Sequence, residues 1–325
     1  MRTILLAAVA ATLLAATGCQ RKPAPATRTA DGKVRVLCTT FPTYLFARNV
    51  AAGSKTILLE MAAAGSAGCP HDYVLTPQDM QAITGCDALI INGLGMEEFL
   101  SGMLNKAGPK VRVIDTSKSI PPAELLQMTA EEGGSPEDQA DAHHHHEHGG
   151  INPHLFASPK MAVMVVANIA SALSELAPSE AGLFTSNARA YEDRLAALGE
   201  RFADRVKGLP RKNIVTEHAV FDYLARDCGL KIVAVVEEAP GQEPSAAEML
   251  KIIKIVRGSG AAAVFTEPQY SARAAQAIAR EAAVPVAVLD PVAGGPTDAP
   301  LDYYETTMSA NLATLERVLG GEKKP

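Results

Sequence analysis

Short apolar runs alternate with helix-length segments twice along this chain, once on each side of a long uninterrupted helical stretch. That alternation constrains the fold more than any other feature. Strand, helix and next strand in sequence mean neighbouring strands that run the same way, so each half predicts a parallel sheet with helices on its faces. In the first half the expected strands are Val34 to Thr39, Thr56 to Met61, Ala88 to Asn92 and Val111 to Ile114. The helices between them are Pro42 to Ala52, one opened by Thr76-Pro77-Gln78-Asp79, and Met96 to Lys106. Thr76 is an N-cap, Pro77 suits the first turn and Asp79 stands where a capping acid belongs. In the second half the strands are Ile214 to Thr216, Lys231 to Val235, Ala262 to Thr266 and Pro285 to Leu289. Its helices are Val220 to Cys228, Ser245 to Arg257, Ser271 to Ala282 and Asp302 to Leu319.

Between the halves, Ser158-Pro159 caps a helix running to Leu176, and a second helix runs from near Ser179 to Lys207, closed by Gly208 and Pro210. At 1.5 Å per residue the second is roughly 40 Å long, enough to cross both halves. The expected architecture is α/β, two four-stranded (β/α)4 lobes of parallel sheet joined by a long rigid backbone helix. The divisions are 34–157 for the first lobe, 158–210 for the helical linker and 211–325 for the second lobe. With 325 residues there is enough chain for two cores.

The N-terminus reads as a targeting segment. Met1-Arg2 gives a short positive start, and Ile4 to Ala16 is apolar but too short to span a bilayer as a stable helix. It ends in Ala16-Thr17-Gly18-Cys19, which resembles the lipobox of bacterial lipoproteins, with Ala16 where leucine is commonest. That resemblance implies a signal peptide over 1–19, a lipid on Cys19 and attachment to the membrane from outside the cytoplasm. Residues 20–33, rich in proline and alanine, have the composition of a flexible tether. Export places Cys38, Cys69, Cys86 and Cys228 in an oxidising compartment, where pairing and buried free thiols are both open.

The net charge of -6 leaves no basic stripe to neutralise phosphates and excludes nucleic acid as a partner. The eight histidines are sorted rather than scattered. Five form the run His143, His144, His145, His146 and His148, inside a stretch from Ser119 to Pro159 that has no lysine or arginine. Glycines and prolines punctuate that stretch, so most of it (119–153) reads as a long loop. The other three, His71, His154 and His218, fall in or near loops that follow strands. Ligands of open parallel sheets bind beyond the carboxyl ends of strands. There the sequence places His71 (CPHDYVL), His154 (INPHLF), His218 (VTEHAVF) and Asp290 (VAVLDP), two from each half. Three imidazoles and a carboxylate suit tetrahedral zinc, whereas calcium and magnesium want oxygen donors.

At these residues the chain resembles the zinc- and manganese-specific solute-binding lipoproteins of ABC transporters, the ZnuA/TroA-like group. The similar segments are PHDYVLTPQDMQAITGCDALIINGLGMEEFL, the surroundings of Pro153-His154, TEHAVFDYLARDCGL, and the block from Glu237 to Pro291. The resemblance extends over nearly all of Val34 to Leu319. It implies a bilobal fold with a rigid connecting helix, a monomer, and metal passed to a membrane permease and its ATPase. Carried over residue by residue, it implies His71, His154, His218 and Asp290 as the ligands of Zn(II), with Mn(II) the alternative metal. The run HHHHEHGG resembles the family's histidine-rich loop and implies low-affinity metal collection. Cys69 departs from the pattern two residues before His71, and Asn152 replaces the acid before Pro153-His154. Glu267, at the end of a strand facing the cleft, is expected to orient a ligand rather than touch the ion.

Two other classes compete. A zinc hydrolase needs a general base near metal-bound water, and Glu267 or Glu217 is available, but no zincin or triad motif occurs. A metal-binding adhesin without a transporter leaves no motif to test. The adhesin therefore stays open as an alternative, beside the less favoured hydrolase.

Overall fold

In a computed structural model that describes residues 32–62, 73, 75–100, 102, 111–128, 150–237 and 242–321, each half of the chain forms one four-stranded sheet. The first contains β1 (Val34–Cys38), β2 (Ile57–Met61), β3 (Ala88–Ile91) and β4 (Arg112–Asp115), in the order β2-β1-β3-β4. The second contains β5 (Asn213–Thr216), β6 (Lys231–Val235), β7 (Val264–Thr266) and β8 (Val286–Val288), in the order β6-β5-β7-β8. All strand pairs within the two sheets are parallel, with Val36 opposite Ala88 in the first and Val215 opposite Val264 in the second. Each sheet therefore reverses its direction of winding at the same place, between β1 and β3 and between β5 and β7. A crevice opens at the carboxyl end of such a switch point.

The helix starts follow from local chemistry. Thr40 caps α1 (Phe41–Val50), its hydroxyl accepting from Thr43 N while the Thr43 hydroxyl answers the cap backbone. Thr76 and Asp79 exchange the same pair of bonds at α2 (Pro77–Gly85), as the sequence predicts. Ser158 caps α3 (Pro159–Leu176). The connecting helix, α4 (Ala181–Lys207), has 27 residues and starts two positions later than expected because Pro178–Glu180 close a 3-10 turn first. Its buried residues are Phe184, Ala188, Tyr191, Leu195, Leu198, Phe202 and Val206, a stripe at three- and four-residue spacing. The second half adds α5 (Asp222–Cys228), α6 (Ala246–Ser259), α7 (Arg273–Ala282) and α8 (Tyr303–Leu319).

That stripe explains how the halves are joined. One apolar core contains Val36 and Phe46 from the first half, Leu195 and Phe202 from α4, and Ile214, Phe265 and Leu315 from the second. Two smaller cores fill the outer faces, around Leu37, Ile83 and Leu89 in the first half and Val215, Val264 and Ile278 in the second. A wide hinge opening would expose the shared core at about 25 cal/mol per Å2. The halves are thus held to small relative movements.

One expected helix begins differently from the sequence reading. From Met96 the chain forms turns and then a 3-10 helix at Glu98–Leu100. The cause is Glu97, whose carboxylate turns back to accept from Asn92 N at 2.7 Å and Gly93 N at 3.1 Å. Gly93, Leu94 and Gly95 all take positive φ to permit this. A Cβ on Gly93 would lie 2.1 Å from Asp115 Oδ1, so only glycine fits there. Gly102 is helical, and the other residues of that predicted helix, 101 and 103–106, lie outside the described residues, as do the histidine run, His71, Cys69 and the segment containing Cys19. Cys38, Cys86 and Cys228 are buried free thiols. Burial pushes Cys86 up to about 11 and Cys228 up to about 12, which makes both inert as nucleophiles at neutral pH.

Candidate metal centre

β5 ends at Thr216 and its neighbour β7 at Thr266, so Glu217-His218 and Glu267 leave the second sheet side by side at its switch point. A backbone bond from Glu237 N to Glu217 O (2.8 Å) extends the β6 pairing past the strand end. The turn closed by Val220 N on His218 O (2.9 Å) then directs the chain into α5. His218 is 2% exposed and Glu267 and Glu217 are equally buried.

His154 reaches the same place from the other side. It precedes a 3-10 turn, Leu155–Ala157, whose three side chains are sunk in the shared core. Both halves hold this segment: Asn92 Nδ2 donates to Pro153 O (2.9 Å) and the Tyr304 hydroxyl donates to Phe156 O (2.7 Å). The His154 and His218 rings meet edge to face with centroids 5.3 Å apart. Tyr270 closes on the far side of His218 at 5.6 Å.

Each imidazole has its Nδ1 against an oxygen. Asn152 Oδ1 lies 2.8 Å from His154 Nδ1 and also accepts from His154 N at 2.9 Å. Glu267 Oε1 lies 2.5 Å from His218 Nδ1, a close contact not aligned as a hydrogen bond. Among the described residues, both nitrogens of His218, both oxygens of Glu267 and Oε1 of Glu217 are buried without a hydrogen-bonding partner. An orphaned buried group costs about 1–3 kcal/mol, so the crevice concentrates polar atoms that a ligand would relieve. Glu217 Oε2 accepts from Glu267 N at 2.6 Å. Burial, reinforced by the Glu267 and Glu237 charges, pushes the Glu217 carboxyl up to about 7. The crevice therefore combines imidazole nitrogens with excess negative charge. That is the chemistry of a divalent transition-metal site with carboxylates behind the ligands.

Asp290 follows β8 and is half-buried. Its Oδ1 accepts from Val292 N (2.8 Å), the Gln269 side chain bonds the carboxylate, and Asn311 brackets its backbone with bonds of 2.9 and 2.7 Å. Burial pushes its carboxyl upward. The structure thus brings His154, His218 and Glu267 together, and holds Asp290 through Gln269 and Asn311. Among the described residues no three His, Cys, Asp or Glu side chains converge closely enough to hold an ion. His71 lies outside them.

The family model described as ZnuA, component A of the zinc-uptake complex, periplasmic, matches residues 36–318. The chain belongs to that family. It is 31% identical over 290 residues to the zinc-binding lipoprotein AdcA of Streptococcus pneumoniae serotype 4, covering 89% of this chain and 55% of that one. It is 27% identical over 263 residues to the high-affinity zinc uptake system protein ZnuA of Bacillus subtilis, covering 81% of this chain and 79% of that one. The chain spans about half the length of the AdcA relatives it matches. The solved structure of the SBP FpvC from Pseudomonas aeruginosa in complex with Ni2+ superposes with a TM-score of 0.72 at 28% identity, over 88% of this chain and 97% of that one. The ZnuA family consists of solute-binding transport components that work outside the cytoplasm, and is not an enzyme family.

Two residues at the centre carry more than the sequence reading gave them. Asn152 stood out only as a departure from an acid, yet it grips His154 twice. Asp222 had no signal beyond its place four residues after His218, and its carboxylate accepts from Asn152 Nδ2 at 2.8 Å.

Proposed function

We propose that this chain captures zinc outside the cytoplasmic membrane and delivers it to an ABC permease and its ATPase, and that it catalyses nothing. One observation carries the reading: His218 is buried beside the Glu267 carboxylate, with no hydrogen bond to its Nε2 among the described residues, facing His154 across the crevice. His154 and His218 bind the ion through Nε2, since Asn152 and Glu267 lie on the Nδ1 sides. His71 supplies the third imidazole. Asp290 completes the shell by exchanging its Gln269 bond for the ion. A shell filled by four protein ligands favours retention over Lewis-acid chemistry, which needs an open position. The run from His143 to His148 collects zinc weakly, and a lipid on Cys19 keeps the protein at the membrane as a monomer. Small relative movement of the lobes around the shared core then suffices to loosen the ion.

Zinc affinity of metal-free protein, read by competition with a chromophoric chelator, tests the ligand set. His71→Ala, His154→Ala and His218→Ala should each weaken zinc by at least a hundredfold, and deletion of 138–149 should leave the tight site intact. Two histidine variants with unchanged affinity overturn the assignment. Titration of Mn(II) against bound Zn(II) decides the metal, and a deletion strain that grows normally in zinc-depleted medium without another importer overturns the transport role.

A further inference from the structure

Asn152 sits between the two halves of the centre. Its Oδ1 accepts from His154 N and lies against His154 Nδ1, while its Nδ2 donates to Ala219 O (2.9 Å) and to Asp222 Oδ2 (2.8 Å). An amide can be turned over, and turned over it would set its NH2 against the His154 backbone N–H. What prevents the flip is on the other end: two acceptors, one of them the partly buried Asp222 carboxylate. Asp222 opens α5, the helix that begins four residues after His218. Tyr223 on the same helix donates to Asn152 O (2.7 Å) and accepts from Leu126 N (3.1 Å), so the Asn152 backbone is fixed as well. The chain thus carries an amide directly against His154 and a carboxylate one bond further away, in the opposite lobe.

We propose that Asp222 is a positioning residue of the metal centre: through the Asn152 amide it holds His154 in the Nδ1–H tautomer, with Nε2 turned toward the ion. The amide oxygen has only acceptor capacity, so it selects the imidazole tautomer with the proton on Nδ1 and leaves Nε2 as the donor pair for a metal. Asp222 selects which end of the amide faces the histidine. Because it belongs to the His218 lobe, it also ties the orientation of His154 to that of His218. The proposal rests on the reading of His154 as a ligand.

The test uses the full chain, metal-free and zinc-loaded. In the metal-free protein, nitrogen-15 spectra of histidine report the His154 tautomer. Wild type should show a single Nδ1–H species, and Asp222→Ala a mixture of both. Zinc competition should show Asn152→Asp, which sets two carboxylates face to face, at least tenfold weaker than wild type. The exchange variant, Asn152→Asp with Asp222→Asn, restores one donor and one acceptor and should return to within about threefold. A merely structural role for the pair moves melting temperature but leaves the tautomer single. A pure Nδ1–H signal in Asp222→Ala, undiminished affinity in Asn152→Asp, or an exchange variant no better than Asn152→Asp overturns the proposal. The tautomer readout needs no metal. An unchanged zinc affinity in His154→Ala would therefore sink the ligand reading separately.

Discussion

The two sheets share one strand order and one switch point, yet the crevices at those points have opposite fates. In the first sheet the crevice between β1 and β3 is plugged by Glu97. Its carboxylate accepts from the Thr39 hydroxyl (2.7 Å), Asn92 N (2.7 Å) and Gly93 N (3.1 Å), and it is 7% exposed. In the second sheet the crevice between β5 and β7 presents Glu217, His218 and Glu267, with five polar atoms unpaired. Burial raises the carboxyl of Glu97 and of Glu217 alike. Burial of an acid therefore does not separate a structural role from a binding one. Saturation does. A carboxylate that already has its hydrogen bonds holds the fold, and one that lacks them leaves a buried charge for which a cation would compensate.

The contrast breaks most visibly at Glu267. Replacing it with glutamine keeps its shape and removes the charge behind His218 Nδ1, so zinc affinity should fall by about 10–100-fold, the usual effect of losing such a partner. Melting temperature of the metal-free protein should hold or rise, because a buried carboxylate that lacks an aligned hydrogen bond is removed. Chelator competition and thermal melting on the same preparation give both values. A drop in stability with unchanged affinity would put Glu267 in the same class as Glu97.

The mirror experiment is Glu97→Gln. Three donors converge on its two oxygens, and an amide has only one acceptor, so its NH2 meets an N–H or hydroxyl head-on. Stability should fall by about 1–3 kcal/mol, measured by urea unfolding, with zinc affinity within twofold of wild type. A tenfold loss of affinity there would mean that the first crevice acts on the candidate centre through the bond from Asn92 Nδ2 to Pro153 O.

Which residues the sequence disclosed follows the same division. Apolar periodicity and capping chemistry depend on near neighbours, so both sheets, the α4 stripe and the Thr76–Asp79 cap were legible. The start of the helix expected at Met96 was not, because Glu97 reaches back to Asn92 and Gly93 and spends that turn on the crevice instead. At the candidate centre, His154 and His218 were singled out by their joint position beyond strand ends, and the fold brings their rings to 5.3 Å. Glu267 was placed behind a ligand on the same ground, and it lies 2.5 Å from His218 Nδ1. Asp222 was invisible, since its partner Asn152 is 70 residues away and only the fold joins them.

The smallest expected effect lies in the pH dependence of Glu217. Its carboxyl sits near 4.5 when unfolded and about 7 when folded, raised by burial and by the Glu267 and Glu237 charges. The folded state therefore binds an extra proton between those values, and stability falls as pH rises through that window. Above pH 7 the fold bears an ionised, buried Glu217; below 4.5 it does not, and the burden lifts progressively between. Glu217→Gln removes the titration while keeping an oxygen for Glu267 N. The metal-free variant should melt about 2–4 °C above wild type at pH 8. That gain should shrink as pH is lowered toward 5, where the wild-type carboxyl is protonated as well. A gain that stays constant across the range would show that charge is not what Glu217 contributes. A loss of stability at pH 8 would place it beside Glu97, as an acid whose bonds support the fold.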